Sequence, residues 1–172
     1  MTADTSARRL SRRGPGVAAL VAALVLAAWN LSVTAPVAVE LSHDSRNSQM
    51  SLLAYRSLGV HPTEITLDLW AFHDAAPVDL YRALFQAASS LKTRHFSRII
   101  LARSGRAVFV LSGDDFQALG QAYDAGENSL YLIRTLPEKL RRPEGAPAFG
   151  AWEGGWLGVM SKQMEDVNTM AT

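Results

Sequence analysis

A long stretch without charge near the amino terminus constrains this chain more than any other feature. No Asp, Glu, Lys or Arg occurs between Gly14 and Val39, and the apolar run is unbroken from Val17 to Trp29. As an α-helix, the 24 uncharged residues 16–39 would span roughly 36 Å, against about 30 Å for the hydrocarbon core of a bilayer. A buried helix of a cytosolic domain would not be apolar on every side directly behind a basic flank. The segment therefore predicts a helix that enters a membrane.

This segment fits either a retained signal-anchor or a cleaved signal peptide, because its unbroken apolar run is typical of both. A cut after Ala35 would place Val33 at position −3 and Pro36 directly behind the cut, and a cut after Ala38 would place Pro36 at −3. Neither site has the small residues that signal peptidase prefers at −1 and −3. We therefore expect residues 16–39 to stay in the membrane as a signal-anchor, with cleavage as the alternative.

The charges in front of the apolar run predict its orientation. Four arginines precede it, against one acidic residue, Asp4: Arg8, Arg9, Arg12 and Arg13. Because arginine and lysine are retained on the cytoplasmic side, residues 1–15 should form a basic cytoplasmic terminus and residues 40–172 a domain outside the cytoplasm. The expected location is the cell (inner) membrane with a single pass. After signal cleavage, the domain would instead be periplasmic or secreted.

The charge and cysteine content excludes several classes of function. From Glu40 onward, 13 Lys and Arg stand against 15 Asp and Glu, a net charge of −2. A dedicated nucleic-acid binder would carry a basic excess on its folded part, so no nucleic-acid partner is expected. The chain contains no cysteine, which rules out disulfides, thiolate metal sites and cysteine nucleophiles.

The exported part predicts an α+β domain, a small two-layer sandwich of about three mostly antiparallel strands with helices on one face. Ser42–Leu58 is expected to be helical because Met50, Leu53, Ala54 and Leu58 lie at helical spacing. The rest follows in chain order as a strand at 63–72, a helix over 74–94, a hairpin around 104–106 and a helix from Ser112. Segment 128–142 fits a helix interrupted at Pro137 or a strand at 131–135, and a short helix is expected from Met160.

Few side chains form a pattern that predicts chemistry. His61 and His73 lie at opposite ends of one expected strand, roughly 30 Å apart, so they should not share a metal ion. Asp114 and Asp115 could hold Mg²⁺ or act as acid and base, but acidic residues also stabilise the start of a helix. The P-loop, dinucleotide and serine-hydrolase motifs are all missing from the sequence. We expect no catalytic residue, no metal and no cofactor.

One aromatic loop, "GAWEGGWLG", is the best sequence candidate for a binding surface. Trp152 and Trp156 flank Glu153 in this segment. Two tryptophans on a glycine-rich loop could bind a partner, pack onto the core, or enter the membrane interface.

Two functions of different class follow. The first is a single-pass, membrane-anchored protein whose extracytoplasmic α+β domain binds or assembles an envelope partner. The alternative is a small envelope hydrolase that uses Asp114 and Asp115 with a histidine.

Overall fold

The computed structural model describes residues 14–73 and 76–149. The predicted helix from Met160 and the loop of Trp152, Glu153 and Trp156 lie outside these residues. The described elements are α1 (Gly14–Ser42), β1 (Met50–Arg56), β2 (Glu64–Phe72), α2 (Pro77–Ser90), β3 (Arg98–Arg103), β4 (Arg106–Ser112), α3 (Gly113–Asp124) and α4 (Ser129–Lys139). Two short 3₁₀ turns, Ser45–Gln49 and Ser57–Gly59, flank β1.

The four strands form one mixed sheet in the order β1-β2-β3-β4. β1 pairs antiparallel with β2, β2 pairs parallel with β3, and β3 pairs antiparallel with β4. A parallel pair requires a crossover connection, and α2 supplies it. The α+β class and the prevailing antiparallel pairing are as predicted, but the described sheet has four strands instead of about three.

The extra strand is β1, and here the sequence prediction of a helix at Ser42–Leu58 was wrong. Met50–Arg56 is extended, and α1 already ends at Ser42. The spacing of Met50, Leu53, Ala54 and Leu58 misled because these residues do not share a buried face. Ala54 is buried, whereas Leu53 and Leu58 are 43% and 84% exposed. The alternation of buried and exposed residues belongs to a strand, whose side chains point to opposite faces in turn.

The core lies between the helices and one face of the sheet. Paired residues of successive strands, such as Ile65, Ile99 and Leu111, project into it. From the helical layer come Phe85 of α2, Phe116 of α3 and several residues of α4 and α1, all part of the same hydrophobic cluster. The two-layer arrangement with helices on one face is therefore confirmed for the described residues.

The helices α2 and α3 contact each other closely through a glycine. A Cβ at Gly120 would lie only 2.3 Å from the Ala88 carbonyl oxygen. Such a separation is well inside van der Waals contact, so only glycine fits at this crossing. Tyr123 continues the contact, with its ring 5.8 Å from that of Phe85.

Segment 128–142 is helical over Ser129–Lys139, and the strand alternative for 131–135 was wrong. Asn128 caps α4 by accepting a hydrogen bond from the Leu130 N–H at 2.9 Å. Pro137 lies within the last turn, and Leu132 and Leu136 are buried. The 3–4 spacing of the buried leucines matches one helical face.

Candidate functional site

Helix α1 has two halves with different surroundings. Every residue from Gly16 to Trp29 is exposed, including Val17, Leu20, Leu24 and Val25 at 60–62%. Residues 16–42 have a mean hydropathy of 2.1 in their most apolar window, enough in length and composition to cross a membrane. A signal sequence near an amino terminus would have the same length and apolar composition. An apolar helix exposed on all sides needs an apolar surrounding, which the described residues do not supply.

The second half of α1 belongs to the core of the domain. Val33 and Val37 are 0% and 1% exposed, and Leu41 is 8% exposed. They lie on one side of the helix because they are four residues apart. The helix is therefore continuous from the exposed segment into the folded domain, and the change in its environment falls near Asn30.

Two polar side chains join the helix to β1 and to the turn that follows it. The Asn30 amide donates to the Gly59 carbonyl at 2.9 Å and accepts from the Arg56 N–H at 3.0 Å. The Thr34 hydroxyl donates to the Ala54 carbonyl at 2.6 Å. These hydrogen bonds satisfy the backbone carbonyls of Ala54 and Gly59 and the backbone N–H of Arg56, which would otherwise have no partner. They fix the position of the helix along its axis, and its rotation about that axis, relative to the sheet.

Arg56 lies at the boundary between the two halves. Its guanidinium sits 4.0 Å from the centre of the Trp29 ring, a cation–π contact. The side chain is 6% exposed and also donates to the Pro62 carbonyl. Burial, together with repulsion from Arg94, lowers the pKa of Arg56. A buried cation held beside an aromatic ring makes this junction electrostatically distinct.

The opposite end of the packed helix is held by a polar cluster. The Asp44 carboxylate accepts from the Arg46 Nε at 3.1 Å and from the Gln86 amide at 3.2 Å, and it pairs with the Arg82 Nε at 2.9 Å. The hydrogen bonds from Arg46, joined by Gln86 and the charge of Arg82, lower the pKa of Asp44 to about 2. The Asn47 amide donates to the Gln86 side chain at 2.8 Å, which links the turn after α1 to α2. The cluster therefore acts as a structural clamp.

The predicted acidic pair, Asp114 and Asp115, lies in the first turn of α3, where Asp115 takes part in capping the helix. Ser112 caps the helix by accepting from the Asp115 N–H at 3.1 Å, and its hydroxyl donates back to the Asp115 carboxylate at 2.5 Å. Lys139 of α4 lies 2.9 Å from the same carboxylate. Burial opposes ionisation of Asp115, but the hydrogen bonds from Ser112 and Lys139 outweigh it and lower the pKa. Asp114 is exposed.

The histidines do not gather around that pair. His61 precedes β2 and His73 follows it, at opposite ends of the strand, as the sequence predicted. In residues 14–73 and 76–149, no group of three or more His, Asp or Glu side chains could hold a metal ion. The start of α3 lies at the edge where β4 ends, which is the edge of His61 and not that of His73.

A buried carboxylate that no sequence pattern predicted lies on β2. Asp68 is 0% exposed and accepts from the Tyr55 hydroxyl at 3.1 Å and from the Gly105 N–H at 3.0 Å. Burial, followed by the bond to Asp68, raises the pKa of Tyr55. Asp68 thus fastens the β3–β4 turn to the sheet, and nothing in the sequence distinguishes it from the other polar residues of an alternating strand.

A small apolar cavity of about 70 Å³ lies between the sheet and the helices α2 and α4. Its lining is mainly aliphatic, including Leu67, Leu84 and Leu136, with Tyr81 and Arg103 at the polar side. Both polar residues already have a partner. The cavity could accept a small apolar group, but its lining does not bring acid and base groups together.

Comparison with known proteins gives no match to a protein family, to a curated protein or to a solved structure. The candidate site therefore rests on the geometry of α1 and its junction with the sheet. The apolar run predicted the helix, but Asn30, Thr34 and Arg56 were not predicted to join it to the domain. The signal available was the pair of polar residues, four apart, that interrupts the second part of the apolar run.

Proposed function

We propose that this protein is a single-pass membrane protein whose uncleaved α1 holds an extracytoplasmic α+β binding or assembly domain at the bilayer surface. The observation that carries the proposal is the continuity of α1, which is exposed and apolar up to Trp29 and packs one side into the core from Asn30 onward. A helix built in this way transmits the position of the membrane rigidly to the domain, because no flexible linker separates the two.

The packed half of α1 supports retention of the helix over cleavage. A cut after Ala35 would remove Asn30, Val33 and Thr34, and a cut after Ala38 would also remove Val37. Those residues supply buried apolar surface and hydrogen bonds to β1. Cleavage at either position would therefore damage the folded domain that it is meant to release.

A binding role is supported by apolar side chains on the sheet face opposite the core. Trp70 of β2 is 59% exposed, and Leu53 of the neighbouring β1 is 43% exposed. Exposed aromatic groups beside aliphatic ones are typical of surfaces that bind other proteins. Trp152, Glu153 and Trp156 remain a prediction from the sequence for the same role.

A topology experiment tests the proposal. Alkaline phosphatase and green fluorescent protein are fused in turn after Thr172, and the membranes are washed with alkaline carbonate. We expect phosphatase activity, no fluorescence, and retention of the full-length chain in the membrane pellet. A fluorescent cytosolic fusion would refute the orientation. A carbonate-soluble product shortened by about 35–38 residues would refute the anchor.

A further inference from the structure

The direction of α1 identifies the edge of the domain that faces the bilayer. Asn47 bonds the Leu41 carbonyl, Thr34 bonds the Ala54 carbonyl, and Asn30 bonds Arg56. The packed half therefore runs antiparallel to β1, and the exposed half leaves where β1 ends. Given the strand directions, the same edge carries the β1–β2 connection 57–63 and the α2–β3 connection 91–97.

The uncharged exposed half, which Arg13 directly precedes in the sequence, is too short to cross the hydrocarbon core with the domain held clear of it. From Gly14 to Trp29 the helix has 16 residues, or about 24 Å at 1.5 Å per residue. The hydrocarbon core is about 30 Å thick. The first packed turns, from Asn30 onward, must therefore lie within the outer boundary of the membrane, and they bring the neighbouring edge of the sheet to the same depth.

That edge presents apolar side chains which no described residue covers. Leu58 is 84% exposed and Val60 is 54% exposed. Leu58 also has a positive φ of 53°, a conformation that bulky residues rarely adopt. At the same level, Trp29 is half-exposed, and tryptophan prefers the zone between acyl chains and headgroups.

The same edge also carries two arginines without acidic partners. Within residues 14–73 and 76–149, neither Arg56 nor Arg94 forms an ion pair with a carboxylate. By contrast, Arg46 and Arg82 at the opposite end of α1 both pair with Asp44. Among the described residues, the Arg94 guanidinium donates to the Ser32 hydroxyl of α1, at 3.3 Å. Two neighbouring guanidinium groups that form no ion pair within the described residues can donate hydrogen bonds to a phosphate.

From this geometry we propose that the edge is seated in the outer leaflet of the membrane. Leu58 and Val60 enter the boundary of the acyl chains, and Arg94, with Arg56 behind it, binds the phosphodiester of a phospholipid. This inference rests on the proposed function, since it requires α1 to span the bilayer. It adds a defined depth, a fixed orientation and a lipid contact for the folded domain.

Depth measurements on the full-length chain in vesicles test the seating. Because the chain has no cysteine, Leu58→Cys and Ser104→Cys can each be labelled with a single fluorophore. Ser104 is the matched control: it is exposed in a turn with a φ of 49°, at the opposite edge of the sheet. In phosphatidylcholine–phosphatidylglycerol vesicles, nitroxide lipids labelled near the headgroup should quench position 58 several-fold more than position 104.

A third label separates failure of the inference from failure of the anchor. Leu24→Cys, in the middle of the exposed half, should be quenched by nitroxides placed deep in the acyl chains. Quenching at 24 with equal, weak quenching at 58 and 104 would overturn the seating and leave the anchor intact. No quenching at 24 would overturn the proposed function itself. A thiol at 58 that is shielded in native membranes but free in vesicles would assign the edge to a protein partner and overturn the lipid contact.

A pair of variants, Arg94→Gln and its control Arg106→Gln, tests the contact with the lipid phosphate. Replacing part of the phosphatidylcholine by phosphatidylglycerol should increase the quenching at position 58, because the anionic lipid attracts the arginines. Arg94→Gln should remove this increase, whereas Arg106→Gln, at the exposed start of β4, should leave it unchanged. Equal behaviour of the two variants would overturn the role assigned to Arg94.

Discussion

The second half of α1 should be indispensable for the stability of the domain, and truncation tests this directly. Three chains are compared: residues 28–172, which keep the whole junction, residues 36–172, which correspond to cleavage after Ala35, and residues 39–172, which correspond to cleavage after Ala38. The first chain retains Trp29 and Asn30, loses most of the exposed apolar half, and should unfold cooperatively as a soluble domain.

The expected losses follow from the contacts. Residues 36–172 lack Val33, whose complete burial contributes about 1.5–3 kcal/mol. They also lack two hydrogen bonds of Asn30 and one of Thr34, at about 1 kcal/mol each. The loss is about 5 kcal/mol, and removal of Val37 in residues 39–172 raises it to about 7 kcal/mol. Natural domains have a total stability of only about 5–15 kcal/mol.

Urea denaturation followed by tryptophan fluorescence and circular dichroism measures these differences. The 28–172 chain should show a cooperative transition, the 36–172 chain a greatly weakened one, and the 39–172 chain little or no folded baseline. Within the 28–172 chain, Val33→Ala should cost about 2–3 kcal/mol, since two buried carbon atoms are lost and a cavity remains. Leu31→Ala is the matched control, because Leu31 is 58% exposed and its replacement should cost under about 0.5 kcal/mol. Equal midpoints for the 28–172 and 36–172 chains would refute the assignment of these turns to the core.

Two further predictions concern the helical layer and the clamp. Gly120→Ala should destabilise the 28–172 chain by about 1–2 kcal/mol in urea, because crowding against the Ala88 carbonyl outweighs the gain of about 1 kcal/mol in helix propensity. Ala118→Ser, at an exposed position of the same helix, is the control, and a stabilised Gly120→Ala variant would contradict the close contact. The pKa of Asp44 is lowered to about 2, so its contribution is fully present above pH 4 and is lost as the pH falls toward 2. Thermal melts between pH 5 and pH 2 should show a shallower acid-induced loss for Asp44→Asn, and an unchanged acid profile would exclude Asp44 from the clamp.

The sequence predicted those elements whose local patterns agree with their packing. The strand β2, the helix α2, the β3–β4 hairpin and the start of α3 all formed where apolar spacing and turn residues indicated. Ser112, for example, caps α3 as its position before an acidic pair suggested. Local pattern and tertiary contact favour the same structure at these places, so neither overrides the other.

The sequence failed where one pattern fits two structures. Residues Met50–Arg56 include apolar positions compatible with a helix, yet pairing with β2 decides the outcome. That pairing joins residues up to 22 positions apart, as in Met50 and Phe72, which the spacing of apolar residues within one segment does not show. The buried Asp68 was missed for a similar reason, because its partners Tyr55 and Gly105 come from two other parts of the sheet.

The polar residues of α1 indicate which side of this largely apolar helix packs against the domain. Because nearly every position is apolar, hydrophobic spacing alone does not indicate which side packs against protein. The few polar residues indicate that side. A polar group facing acyl chains would lack hydrogen-bond partners, whereas one facing protein can find them. Asn30 and Thr34 lie four residues apart, on the same face as the buried Val33, Val37 and Leu41. In α1, polar residues at helical spacing within the apolar run therefore indicate where the exposed half ends and the helix packs against the folded domain.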